Sequence, residues 1–142
     1  MKTSSATAIW NGNLKEGRGK INLHSTGYET AYTFASRFEN GKGTNPEELI
    51  GAAHAACFSM AFSNILAGEG YQPLEVNTRA TVSLEIKDGG AAITSVHLDT
   101  KARVEGIDEA VFQKLAEDAK KNCPVSRALA ALDISLDAKL VS

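Results

Sequence analysis

Between Asn45 and Ala67 the chain carries Leu49, Ile50, Ala52, Ala53, Ala55, Ala56, Met60, Ala61, Phe62, Ile65 and Leu66, which at helical spacing surround nearly the whole circumference. The ends of this segment are punctuated. Asn45 stands at the cap, Pro46 at the first helical position and Glu48 at the third, as in a capping box, and Gly68 and Gly70 follow the last apolar turn. A helix apolar on nearly every side is buried rather than amphipathic, so it must be sandwiched, and the rest of the chain has to supply the cover.

Strands provide that cover. From Val76 to Lys87 apolar and polar residues alternate without a break, Asp88-Gly89-Gly90 supplies residues tolerant of positive φ, and Ala92 to Val104 alternates again with Val96 and Leu98 inward. This predicts an antiparallel hairpin. Leu132, Ile134, Leu136, Ala138 and Leu140 repeat the pattern near the C-terminus, and Thr7–Trp10, Lys20–His24 and Ala31–Phe38 read as three shorter strands, the last with Arg37 on the face of Ala31, Thr33 and Ala35. Val111, Phe112, Leu115, Ala116 and Ala119 mark a second, amphipathic helix from Asp108 to Asn122, which Cys123-Pro124 breaks and where a short third helix starts. The expected fold class is α+β: antiparallel sheets packed on a long buried central helix plus a second amphipathic helix, in a single domain over residues 1–142. A chain of 142 residues has the size for one such core.

Charge narrows the function. Fifteen basic and seventeen acidic side chains give a net charge of −2, with no Lys/Arg run to track a phosphate backbone, so no nucleic-acid partner is expected. No apolar stretch reaches the roughly 18 residues needed to cross a bilayer, and Met1–Thr7 lacks the pattern of a signal peptide. The expectation is a cytoplasmic protein without a membrane partner.

Cys57 and Cys123 stand 66 positions apart, neither a CxxC pair nor half of a zinc knuckle. Inert burial and redox chemistry are both open on spacing alone. Cys57 lies mid-helix among Ala53, Ala56, Met60 and Ala61, with His54 one turn away and Arg37 or Arg18 able to approach from the sheet. As metal ligands, His54 and Cys57 would need two more, and His24 and His97 fall on polar strand faces. Cys123 precedes Pro124, near the start of a helix whose backbone N–H groups favour a thiolate. Two cysteines in such unlike settings suit a pair in which one thiolate attacks and the other closes a disulfide.

The run Gly43-Thr44-Asn45-Pro46-Glu47-Glu48-Leu49-Ile50-Gly51-Ala52-Ala53-His54-Ala55-Ala56-Cys57-Phe58-Ser59-Met60-Ala61, with Asn122-Cys123-Pro124-Val125-Ser126, resembles the OsmC branch of the OsmC/Ohr family of organic hydroperoxide reductases. Trp10-Asn11-Gly12, Ser36-Arg37-Phe38-Glu39 and Gly106-Ile107-Asp108 also fit, so the resemblance covers essentially the whole chain. It implies a thiol peroxidase without metal, flavin or haem. Cys57 would match the peroxidatic cysteine, Cys123 the resolving cysteine, Arg37 the arginine that lowers the thiolate pKa and polarises the peroxide, and Glu47 the carboxylate that holds that arginine. Gly17-Arg18-Gly19 is a decoy for the arginine of the sister Ohr branch. The resemblance further implies organic hydroperoxides as substrates, lipoylated proteins as dithiol donors and intertwined homodimers.

From the other class, a non-catalytic thiol redox sensor or carrier would use the same disulfide to change shape. Glu47 and Cys57 lie ten residues apart, which in one continuous helix is about 15 Å of rise and a rotation of roughly 280°. Either the helix breaks near Gly51, or the carboxylate that approaches Cys57 comes from a partner chain.

Overall fold

The computed structural model describes Met1–Ser142, in which two compact units, Met1–Leu49 and Ile50–Ser142, can be distinguished. In the first, β1 (Ala6–Asn11), β2 (Arg18–Leu23) and β3 (Tyr28–Tyr32) form an antiparallel meander. Gly19 pairs with both Trp10 and Tyr32, whose rings lie 5.3 Å apart; a Cβ at Gly19 would strike both rings.

The expected strand over Ala31–Phe38 is not formed as such: β3 ends at Tyr32 and a short helix, α1 (Phe34–Phe38), follows. The cause is a capping box. Thr33 Oγ1 accepts the Ser36 N–H at 3.1 Å, and Ser36 Oγ accepts the Thr33 N–H at 2.8 Å. Arg37 therefore sits in the last turn of a helix and not on a strand face shared with Ala31, Thr33 and Ala35.

The long helix forms as the caps predict. α2 spans Pro46–Gly68, and Asn45 Oδ1 accepts the Glu48 N–H at 2.7 Å, whereas the Glu48 carboxylate accepts from Thr44 Oγ1 at 2.6 Å. It does not break at Gly51.

In the second unit α2 lies with β4 (Pro73–Lys87), β5 (Gly90–Val104) and β6 (Asp133–Val141), with α3 (Glu109–Asn122) and α4 (Pro124–Ala128) between β5 and β6. Asp88 (φ 49°) and Gly89 (φ 78°) turn the β4–β5 hairpin in two left-handed steps, the combination that matches the twist of antiparallel strands. Val96, Leu98, Thr100 and Ala102 are buried and Asp99, Lys101 and Arg103 exposed, as the alternation requires. One feature departs from the expected antiparallel sheets: β6 runs parallel to β5, from Ser95↔Asp133 to Arg103↔Val141. α3 and α4 form a crossover that returns the chain to the same end of the sheet before β6 begins, which is the connection a parallel pair needs.

The core of this unit is built on one stripe of α2. Gly51, His54, Phe58, Phe62 and Leu66 are buried, and Phe62 meets Phe58 and Phe112 at ring distances of 5.6 and 5.3 Å. Ala52, Ala53, Ala56 and Met60 on the other sides are exposed within the chain, Met60 at 75%. By length and composition α2 is also apolar enough to cross a membrane, contrary to the expectation that no stretch reaches that size. His54, Ser59, Ser63 and Asn64 interrupt the apolar run without making the helix polar on average.

Candidate active site

Two groups of side chains carry chemistry, one in each unit. In the second unit, Cys57 lies midway along α2, and Cys123 occupies the junction of α3 and α4 as the residue that caps α4. Cys57 packs against the core cluster that contains Cys123, with the Cys123 thiol and the backbone N–H of Val125 near its sulfur. Burial, followed by the contact with Cys123, pushes the Cys57 thiol above its ordinary value, and the Val125 N–H pulls the other way. Cys123 is wholly buried, whereas Cys57 is half-buried and lines an open hollow of about 530 Å³ with Met60, Ala61, Asn64, Ile65, Asn122 and Pro124.

His54 has another partner. Its Nε2 lies 2.7 Å from Ser126 Oγ, both side chains are buried, and Nδ1 is buried with no hydrogen-bond partner. Burial lowers the imidazole's pKa and keeps it neutral.

In the first unit, Arg37 Nε donates to both Glu47 oxygens, at 2.9 and 3.3 Å. Glu47 is 8% exposed and Arg37 33%, so the carboxylate is fixed inside while the guanidinium reaches the surface. Arg37 stands in the last turn of α1 and Glu47 in the first turn of α2, so the end of one helix and the start of the next bring these charges together. Arg37 Cζ stands 5.4 Å from the Phe38 ring centroid, and a hollow of about 170 Å³ beside it is lined by Trp10, Leu14, Tyr32, Thr33, Phe34 and Phe38. Arg18, the decoy, lines a separate hollow with Ile9, Asn11, Lys20 and Ala31.

Of the four expected site residues, the chain thus joins Arg37 to Glu47 and Cys57 to Cys123. Between Glu47 and Cys57 runs unbroken helix. Sequence reasoning missed the Val125 N–H and the His54–Ser126 contact. Pro124 at the first helical position was a signal for the first, since it places the next free N–H at Val125. For the second, a contact 72 residues apart in sequence, no local signal exists.

Residues 39–137 match the model of the family described as OsmC-like protein. The chain belongs to the OsmC-like family. It is 48% identical over 136 residues to the peroxiredoxin OsmC of Escherichia coli K12, covering 95% of this chain and 94% of that protein. It is 34% identical over 104 residues to organic hydroperoxide resistance protein-like 1 of Staphylococcus epidermidis, covering 72% and 74%. Among solved structures the fold matches an OsmC-like protein of Mycoplasma pneumoniae with a TM-score of 0.76 at 18% identity, covering 99% of each chain. It also matches the organic hydroperoxide resistance protein OhrB of Bacillus subtilis with a TM-score of 0.71 at 25% identity, covering 96% of this chain and 98% of that one. The OsmC-like fold is therefore α+β with two small sheets, as the alternation and the helix signals indicate.

Proposed function

We propose that this protein is a thiol peroxidase that reduces organic hydroperoxides to alcohols. The observation that carries the reading is the meeting of Cys57 with Cys123, one thiol at an open apolar hollow and the other wholly enclosed behind it. The names of the relatives from Escherichia coli and Staphylococcus epidermidis point the same way. In the proposed cycle the Cys57 thiolate attacks the distal oxygen of the hydroperoxide, the O–O bond breaks, the alkoxide leaves as the alcohol by taking up the proton the thiol released, and a sulfenic acid remains. The Cys123 sulfur then attacks the Cys57 sulfur, forming the disulfide, and the sulfenic oxygen leaves as water with the proton that the Cys123 thiol gives up. A dithiol such as a lipoylated protein restores both thiols and leaves as a cyclic disulfide. Such a cycle belongs in a reducing compartment, and we place it in the cytoplasm.

Within one chain, burial and Cys123 hold Cys57 in the thiol form, so the attacking species needs a cation. Arg37, held by Glu47, is our candidate. Because α2 is unbroken, with about 15 Å of rise between Glu47 and Cys57, the reading has Arg37 and Glu47 reach the Cys57 of a second chain. A homodimer would also cover the exposed apolar sides of α2.

The test is turnover of cumene hydroperoxide against hydrogen peroxide with dihydrolipoamide as reductant, followed by intact-mass measurement. Sustained turnover favouring the organic peroxide is expected, with a dithiol-reversible species two mass units lighter. Cys57→Ser should abolish turnover, and Cys123→Ser should reduce about one equivalent and stall. Oxidation once without turnover would leave the sensor or carrier reading, and two free thiols persisting after peroxide would sink both.

A further inference from the structure

His54 stands three residues before Cys57, and Ser126 stands three residues after Cys123. Their side chains meet at 2.7 Å from Nε2 to Oγ, in the interior. One turn of α2 and the opening turn of α4 are therefore tied by this hydrogen bond, and Cys57 lines the same hollow as Asn122 and Pro124 on either side of Cys123. Val125, whose N–H reaches Cys57, is the residue next to Ser126.

Fold stability does not explain the pair. An apolar side chain would fill the place of His54 without leaving Nδ1 buried and unpartnered, a cost the imidazole carries. Neutral in this setting, His54 also adds no charge. What the pair supplies is direction: a hydrogen bond has a narrow range of length and angle, whereas apolar contact lets α4 slide on α2.

We propose that His54 and Ser126 are positioning residues for the thiol chemistry, holding the first turn of α4 on α2 so that the Cys123 thiol and the Val125 N–H both stay on Cys57. The proposal rests on the peroxidase reading and adds to it what governs the second step. In that step the Cys123 sulfur bonds to the Cys57 sulfur, the S–O bond of the sulfenic acid breaks, and the oxygen leaves as water with the proton that the Cys123 thiol gives up. Disulfide geometry tolerates little error, and misplacement by an ångström slows an oriented reaction steeply.

Three full-length variants separate positioning from packing. Ser126→Ala removes the hydroxyl, His54→Asn keeps an amide nitrogen only where Nδ1 stands, and His54→Gln reaches the place of Nε2. After one equivalent of cumene hydroperoxide, dimedone trapping and intact mass report the lifetime of the sulfenic acid and the rate of disulfide closure, and circular dichroism reports folding. We expect Ser126→Ala and His54→Asn to prolong the sulfenic acid about tenfold or more, and His54→Gln to recover most of the wild-type rate. Closure at the wild-type rate in Ser126→Ala, or equal slowing in the Gln and Asn variants, would overturn the positioning role. A wild-type chain that forms no Cys57–Cys123 disulfide would overturn the peroxidase reading and this role with it.

Discussion

Arg37 and Glu47 differ in burial, and the difference sets what each can do. Glu47 is nearly enclosed and receives two hydrogen bonds from one nitrogen, so it fixes where the guanidinium points; Arg37 keeps its remaining N–H groups at the surface, free for another anion. If that anion is the Cys57 thiolate and the developing charge on the peroxide, Arg37→Ala should raise the apparent pKa of Cys57 and slow peroxide attack by about a hundredfold or more, while Arg18→Ala changes little. Thiolate absorbance against pH and single-turnover rates check both halves. An equal or larger loss from Arg18→Ala would move the role to the decoy. Arg37→Lys, which keeps the charge and loses the planar fork, should fall between.

At the scale of elements, α2 meets β4 at Gly51, where an added Cβ would lie 3.2 Å from the Ala80 carbonyl oxygen and 3.6 Å from Val82 Cγ2. Backbone cannot yield as a side chain can. Gly51→Val should cost about 1–3 kcal/mol, read from the urea midpoint with an unchanged slope; a midpoint at or above wild type would mean that the helix and strand separate freely there. The same elements explain what sequence made legible. The β4–β5 hairpin was readable because a two-residue turn and two alternating runs agree, and α2 because its cap and its glycines bracket it. α1 was not, because Tyr32 to Phe38 alternates like a strand, and Thr33 pairs with Ser36 instead of the Glu or Gln that marks a capping box. The direction of β6 was hidden for another reason: alternation tells which face is buried and is silent on which way the neighbour runs. Of the candidate site, the residue types and the Arg37–Glu47 pairing followed from the family resemblance, while the Val125 donor and the His54–Ser126 contact depend on how α4 meets α2.

For the whole molecule, the four expected site residues fall into two pairs, and a shared site predicts complementation between damaged chains. Glu47→Ala and Cys57→Ser chains, each nearly inactive alone, should regain part of the activity when mixed under conditions of subunit exchange, since the mixed dimer has one intact site and one doubly damaged one. Failure to recover, with exchange proven by native mass spectrometry, would place Glu47 and Cys57 in the same chain's site. Size in solution gives an independent check, with a dimer expected.

The parallel pairing of β5 and β6 bears on how such a cycle would run. Cys123 rides on the connection between two neighbouring hydrogen-bonded strands, so the backbone on either side of it is anchored in one sheet. Closing a 66-residue loop in an unfolded chain costs about 4 kcal/mol in the chain-entropy model, and here the sheet has absorbed that cost before any sulfur reacts. In the proposed cycle, oxidation and reduction would then exchange one short bond at a connection already tied to the sheet. A reductant would have to recognise the oxidised protein by its sulfur and not by its outline, and a messenger that signals by changing shape would find little in this frame to move.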